Sequence, residues 1–195
     1  AIGAGTCVGL TEGTYNIAIG VNALQQATTS ADHNIAFGFN SMSGAWTSAN
    51  VDNCIAIGQS AMDGVLTSNA SGAVAIGASA LGALTSGADN LAIGYNASLL
   101  LTTGSSNIAI GARALDAADL SESYNVAIGV QAMGGVDEGS HGSNEVDSNI
   151  AIGYNALLGG AFGSNDYDLK GNIAIGHEAL KVTATNAQTG TIAIG

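Results

Sequence analysis

The chain has 195 residues, of which 29 are glycine, none is proline and only 9% are charged, against roughly 25% in ordinary globular proteins. Lys and Arg together number 3 against 15 Asp and Glu, so the formal net charge is −12. So few cations cannot neutralise nucleic-acid phosphates or attract the chain to an anionic membrane surface. Nucleic acids and anionic membranes are therefore not predicted partners.

A short repeat runs through the whole chain and decides its architecture. Its clearest form is Asn-Ile-Ala-Ile-Gly, two variable residues, then Ala-Leu or Ala-Met. The chain begins inside one copy, at Ala1–Gly3, and ends inside another, at Ile192–Gly195, so we interpret residues 1–195 as a single domain from a longer chain. The recognisable copies are Asn16–Leu24, Asn34–Met42, Cys54–Met62, Ala73–Leu81, Asn90–Ser98, Asn107–Leu115, Asn125–Met133, Asn149–Leu157 and Asn172–Leu180.

The glycine of each copy marks the period of the repeat. Neighbouring marker glycines lie 17–20 residues apart, except for two late spacings of 24 and 23. Glycine suits this place because a residue without a Cβ tolerates positive φ or a close backbone approach. The internal markers are Gly20, Gly38, Gly58, Gly77, Gly94, Gly111, Gly129, Gly153 and Gly176.

Each repeat predicts one coil of a parallel β-solenoid. Segments such as Ile17–Ile19 alternate large and small apolar residues, which is the period of a strand, and Gly with Thr, Ser or Asp then supplies turns. One coil cannot bury its apolar row alone, so we expect about 10 coils of 17–24 residues, stacked at about 4.8 Å. We further expect Ile, Leu and Met to line the interior, with Ile152 in the core.

The asparagine that opens most copies has two interpretations. It either stacks into a ladder of side-chain amides along the solenoid or simply favours the turn before the strand. Cys54 takes this place in one coil.

Together these repeats resemble the head repeats of trimeric autotransporter adhesins. They resemble still more the related repeats of bacteriophage tail fibres and tail spikes, most clearly in Asn90–Leu115. The resemblance implies a left-handed parallel β-roll that assembles as a parallel homotrimer, with Ala residues where neighbouring backbones come close. It also implies an extracellular, structural and adhesive role. The coils here are longer than those of the autotransporter heads.

The expected function is that of a virion tail-fibre segment contributing to host attachment. Its expected partners are its own copies, neighbouring fibre or tail proteins, and a cell-surface glycan or protein receptor. One alternative is a bacterial cell-surface adhesin head or extracellular filament subunit. A less favoured alternative is a tail-spike polysaccharide depolymerase. We predict no enzyme activity, no catalytic residues and no membrane insertion, although Gly64–Ala88 carries no charge.

The two longest units carry the candidate site. Insertions at equivalent points of adjacent coils project side by side, and protruding loops often bind partners. The two loops are predicted to form one acidic patch that contacts a receptor or binds Ca²⁺. The alternative is that both are simply solvated loops. No other cofactor or metal is expected. The acids of the patch are Asp137, Glu138, Glu145, Asp147, Asp166 and Asp168.

Aromatic and histidine side chains offer no catalytic arrangement by spacing. The tyrosines and Trp46 form either a carbohydrate-stacking surface or, as we favour, contacts with a neighbouring subunit. His33, His141 and His177 lie in different units, and we expect His33 and His177 to be turn residues.

Overall fold

A computed structural model describes residues 1–26, 31–46, 51–117, 121–136, 146–159, 168–181 and 188–195. The fold is all-β and is a parallel β-solenoid, as predicted. Among the described residues, the one helical element is a 3₁₀ turn at Ser68–Ala70.

Ten short strands form the main sheet. They are parallel, and equivalent residues of successive coils are direct partners, for example Ala18 with Ala36 and Ala36 with Ala56. Each strand is only three residues long because the repeat places glycine directly after it. The strands are β1 Ile17–Ile19, β2 Ile35–Phe37, β3 Ile55–Ile57, β4 Val74–Ile76, β5 Leu91–Ile93, β6 Ile108–Ile110, β7 Val126–Ile128, β9 Ile150–Ile152, β11 Ile173–Ile175 and β13 Ile192–Ile194.

A second, three-stranded parallel sheet is formed by short strands that directly precede the last three strands of the main sheet along the chain. Its strands are β8 Val146–Asp147, β10 Leu169–Lys170 and β12 Gln188–Thr189, in the order β12-β10-β8. Each ends three residues before a strand of the main sheet. Among the described residues, this sheet therefore begins within the first of the two long units.

The prediction that Ile lines the interior is wrong. In every strand from β1 to β11 of the main sheet the central Ala is buried and the two flanking apolar residues face outward. Ile152, expected in the core, is 37% exposed, whereas Ala151 is fully buried. Ala therefore packs inside its own chain, and the alternation was correct but assigned to the opposite faces.

The interior is narrow, and this explains why Ala takes the inward strand position. Three residues after each marker glycine comes a second small buried residue, Ser41 after Gly38 and Ala in the other coils, next to a buried Leu or Met in most coils. Another large side chain, such as Leu66, Leu84 or Leu101, fills the interior further along the coil. Close-packed interiors leave no room for a third large residue at the strand.

The marker glycines meet both conditions predicted for them. Gly94, for example, has φ 141°. A Cβ at Gly94 would lie 2.5 Å from the carbonyl oxygen of Gly111 in the next coil, which is a severe overlap. Any larger residue would push the coils apart at this point.

Three further positions of the coil take positive φ even where the residue is not glycine. They are the residue before the ladder position, such as Ser106 (φ 59°), and the second and fourth residues after the glycine, such as Arg113 (φ 58°) and Leu115 (φ 53°). The left-handed region strains β-branched residues most. This explains why Leu or Met, rather than Ile or Val, fills the buried position at the end of the motif.

The asparagine ladder is confirmed. Each asparagine Oδ1 accepts the backbone N–H of the equivalent residue in the next coil, as Asn107 does from Asn125 at 3.0 Å. Each Nδ2 donates to a carbonyl oxygen of the next coil, as Asn107 does to Glu122 at 2.6 Å. The same pairs of bonds join the coils of Asn16, Asn34, Asn90, Asn125 and Asn149.

Cys54 and Ala73 interrupt this ladder. The thiol of Cys54 donates to the carbonyl of Ala70 at 3.4 Å, the place that an asparagine Nδ2 would fill. Burial raises the pKa of Cys54 to about 11, so this group stays a neutral thiol that can donate. Ala73, in the next coil, has no side chain to continue the ladder.

We expect Asn107→Ala to lower the free energy of unfolding by roughly 2–4 kcal/mol, because it leaves the Glu122 carbonyl and the Asn125 N–H buried without their partners. The reciprocal change, Ala73→Asn, supplies the missing amide and is expected to raise the stability. Denaturant unfolding followed by circular dichroism measures both.

Asn69→Ala is the matched control, since Asn69 is exposed and lies outside the ladder. Equal effects of Asn107→Ala and Asn69→Ala would show that the ladder contributes nothing to stability.

Candidate functional site

The most conspicuous surface of the solenoid is an unpartnered apolar face. We call it the outer face, and it consists of the two outward residues of each strand together with the residue after each marker glycine. Among its most exposed members are Ile17, Val21, Phe37, Phe39, Ile57, Tyr95, Val130, Ile152, Tyr154 and Ile175.

The outer face is large for a single chain. Ten strands at about 4.8 Å, each with about five residues at roughly 3.3 Å from its first outward residue to the residue after the glycine, make roughly 800 Å². The largest apolar patch on a typical monomer is about 300–600 Å², whereas a stable interface buries about 800 Å² on each partner. The outer face therefore has the size of a protein–protein interface.

One margin of the outer face carries a second hydrogen-bond ladder, which sequence reasoning missed. We call it the leading edge: the residue two places before the ladder position of each coil. Here a side-chain oxygen accepts the backbone N–H of the preceding coil, as Asp147 Oδ1 does from Ser123 at 2.8 Å and Ser123 Oγ from Ser105 at 3.1 Å. The leading edge comprises Thr14, Asp32, Asp52, Ser71, Ala88, Ser105, Ser123, Asp147, Lys170 and Thr189.

The sequence does contain a signal for this ladder. Asp, Ser or Thr fills the leading edge before eight of the ten strands of the main sheet, at a fixed distance from the strand. Short oxygen-bearing side chains reach a neighbouring backbone N–H easily. The pattern was overlooked because the same residue types are also common in turns.

The opposite margin is the trailing edge, the second residue after each marker glycine. Its residues are mainly amides and hydroxyls, and Asn22 donates to Asn40 at 3.1 Å. The trailing edge comprises Asn22, Asn40, Ser60, Ser79, Asn96, Arg113, Gln131, Asn155 and Glu178. Two of its charged residues have partners in their own coil: Arg113 binds Asp116 at 2.8 Å and Glu178 binds Lys181 at 2.6 Å.

The predicted acidic patch is only partly within the described residues. Asp147 accepts a hydrogen bond in the leading-edge ladder, and Asp168 forms an ion pair with Lys170 at 3.4 Å. Asp147 is also the register partner of Lys170 between β8 and β10. A lysine thus already supplies positive charge beside both carboxylates. The other predicted members, Asp137, Glu138, Glu145 and Asp166, lie outside the described residues.

Two histidines pair with tyrosines of a neighbouring coil. The rings of Tyr15 and His33 stack at 4.9 Å between centroids, and those of Tyr154 and His177 at 5.3 Å. His33 and His177 are exposed and follow the turn positions predicted for them, while His141 lies outside the described residues. Trp46 is buried in the core of its own chain, so it cannot belong to a surface for stacking sugars.

Within the described part of the chain, no cavity forms and no three His, Cys, Asp or Glu side chains come together as a metal site. No helix in this part is long and apolar enough to cross a membrane. Cys7 and Cys54 are free thiols.

Comparison of the chain with protein-family models, curated proteins and solved structures finds no match. The function must therefore be argued from the outer face, its two edges and the place where the coils lengthen.

The leading edge makes stability depend on pH. Asp32 Oδ1 accepts from the backbone N–H of Thr14 at 2.6 Å and from its hydroxyl at 2.8 Å. These bonds, the backbone one first, hold the pKa of Asp32 below its ordinary value. The stabilisation is therefore complete above the unfolded-state pKa of about 3.9 and is lost as the pH falls through the lower folded-state pKa.

We expect the wild-type melting temperature to fall more steeply below about pH 4 than that of Asp32→Asn, which keeps an acceptor but does not titrate. Thermal unfolding from pH 7 to pH 2 measures the difference. Glu12→Gln removes an exposed acid of the same region and should leave the slope unchanged. Parallel curves for wild type and Asp32→Asn would contradict the prediction.

Proposed function

We propose that this chain is a structural and adhesive segment of an extracellular fibre, assembled as a parallel homotrimer. The observation that carries the proposal is the outer face, which leaves apolar side chains in water along every strand of the main sheet. The resemblance of the repeats to bacteriophage tail fibres favours a virion appendage. A bacterial cell-surface adhesin or filament subunit would use the same geometry.

A second copy of the chain is the partner that best matches the outer face. The face repeats at the strand spacing over its whole length, and its strand positions are apolar in every coil. Only a surface with the same period can cover such rows continuously, and another copy of this chain has that period. The number three comes from the resemblance, in which three faces close around a common axis.

The interior suits a load-bearing segment. Backbone bonds of about 2.7–3.0 Å join the coils at each strand, and buried asparagine amides reinforce them. Among the described strands, contacts join only adjacent coils, so the structure extends by repetition without a new core. A rigid rod that carries a binding surface away from a particle requires these properties.

Attachment is proposed to occur where the coils lengthen. The residues that flank the long segments are anchored in the core. Val136 and Val146 are buried on either side of the first, and Leu169 is buried at the end of the second. β8 and β10 pair directly, so the described ends of the two long units lie side by side. Added length here leaves the ladders intact, so the sequence of these units can vary with the target.

We expect Phe37→Asp to weaken trimer formation strongly. Phe37 lies on the outer face and is 50% exposed in the single chain, so its replacement costs the monomer little but places three carboxylates near the proposed axis. Sedimentation velocity measures the assembly and circular dichroism measures the fold.

Leu100→Asp is the matched control, since Leu100 is 46% exposed but lies away from the outer face. A wild-type chain that sediments as a folded monomer would overturn the trimer. A Phe37→Asp chain that assembles as well as Leu100→Asp would overturn the role of the outer face.

We expect deletion of residues 137–143, which shortens the 24-residue unit to 17, to abolish attachment while leaving assembly unchanged. Retention of labelled trimers on immobilised bacterial surface polysaccharides and on whole bacterial cells measures attachment. The undeleted chain and Leu100→Asp are the references. Retention by neither probe, or equal retention of the deleted chain, would count against attachment through this unit. Release of reducing sugar ends would instead favour the depolymerase alternative.

A further inference from the structure

We propose that neighbouring copies meet edge to edge at the same height, with the leading edge of one chain against the trailing edge of the next and Lys170 beside the partner copy's Glu178. This inference rests on the proposed parallel self-association and adds the contact between the two edges and the charged pair within it. The charges on the two edges carry it.

The two edges are complementary along their length. Apart from Lys170, the charged residues of the leading edge are acids: Asp32, Asp52 and Asp147. The trailing-edge residues of those three coils are Asn40, Ser60 and Asn155, which offer amide or hydroxyl donors to a carboxylate. No coil therefore places acid on both edges.

One coil reverses both edges together. Lys170 is the only cation of the leading edge, and Glu178 is the only anion of the trailing edge. Both belong to the coil that contains β11. If equivalent coils of neighbouring chains are in contact, a positive charge on the leading edge of one coil requires a negative charge on the trailing edge of the same coil, as found here.

The geometry of the outer face allows one polarity to use this complementarity. When chains are related by an axis parallel to the solenoid, the leading edge of one meets the trailing edge of the next and each coil meets its own equivalent. When one chain is inverted, leading edge meets leading edge and the acidic margins face each other. Like charges across an interface are unfavourable, so the parallel arrangement is selected.

The pairs inside each chain leave room for this contact. Lys170 approaches Asp168 at 3.4 Å and Glu178 approaches Lys181 at 2.6 Å, yet the side chains of Lys170 and Glu178 remain 33% and 39% exposed. The hydrogen bond from Lys181 lowers the pKa of Glu178, which therefore stays charged at neutral pH. A second chain would join the two pairs into one four-membered network.

Charge reversal tests the pairing. Lys170→Glu and Glu178→Lys should each raise the concentration for half-dissociation by roughly tenfold, because the contact occurs once per subunit interface. The double variant should recover most of the wild-type value. Sedimentation velocity in low salt measures all four chains, and the double-mutant cycle cancels effects confined to one chain. Leu100→Glu, which adds an acid away from the outer face, is the control.

Cross-linking tests the same contact directly. In a Cys7→Ser background, Lys170→Cys and Glu178→Cys should form disulfides between chains when oxidised with copper–phenanthroline. Within one chain the two positions are eight residues apart in sequence and lie at opposite margins of the outer face, whose width of roughly 16 Å exceeds the reach of about 7 Å that a disulfide requires. Denaturing gels should show covalent trimers, and dimers after partial oxidation.

The outcomes separate the two proposals. Additive losses in the cycle, or assembled chains that give no cross-linked species, would overturn the edge pairing and leave the assembly itself standing. A wild-type chain that does not assemble would overturn both.

Discussion

The buried asparagine amide is the interaction on which the rest of the solenoid depends. Its oxygen accepts from the equivalent residue of the next coil, and its nitrogen donates both to the carbonyl three residues before that residue and to the equivalent amide oxygen of the preceding coil. A shift of one coil by a single residue would leave both amide groups buried without hydrogen bonds, at a cost of roughly 1–3 kcal/mol each. The ladder thus fixes the register of each coil on the next. Once the register is fixed, every other feature repeats: glycine lies above glycine, Ala above Ala, and the outward residues form continuous rows.

The predictable part of the fold was the part set by periodicity. The spacing of the marker glycines and the Ile-Ala-Ile alternation were enough to predict parallel coils and strands. Alternation alone does not say which face is buried, because both the Ala row and the Ile row are apolar. That choice depends on interior width, which is set by the Leu and Met residues across the coil, such as Leu115. The sequence does hold a clue, since Leu115 and its equivalents are never β-branched, as expected for buried left-handed residues.

The candidate site was harder to predict for the same reason. The acids of the long units were predicted to form a binding site because the chain has few charges elsewhere. One of them, Asp147, instead accepts a structural hydrogen bond from Ser123. The outer face was hidden because its residues were assigned to the core. An apolar residue in a solenoid has two possible destinations, its own interior or a neighbouring chain, and composition does not distinguish them. The leading edge was recognisable in principle, because Asp, Ser and Thr recur at one fixed place before the strand.

Stability and contact are separated in this architecture. The ladder asparagines satisfy their buried amide groups by stacking, as the bonds of Asn125 and Asn149 show. The outer face adds little to the stability of a single chain, since its side chains stay exposed there. It is therefore available to hold chains together, and the hydrophobic effect, which has no direction, cannot by itself choose their polarity. Directional groups must make that choice, and the described directional groups beside the outer face lie on its two edges. The leading and trailing edges are thus the elements that specify how one chain lies against another.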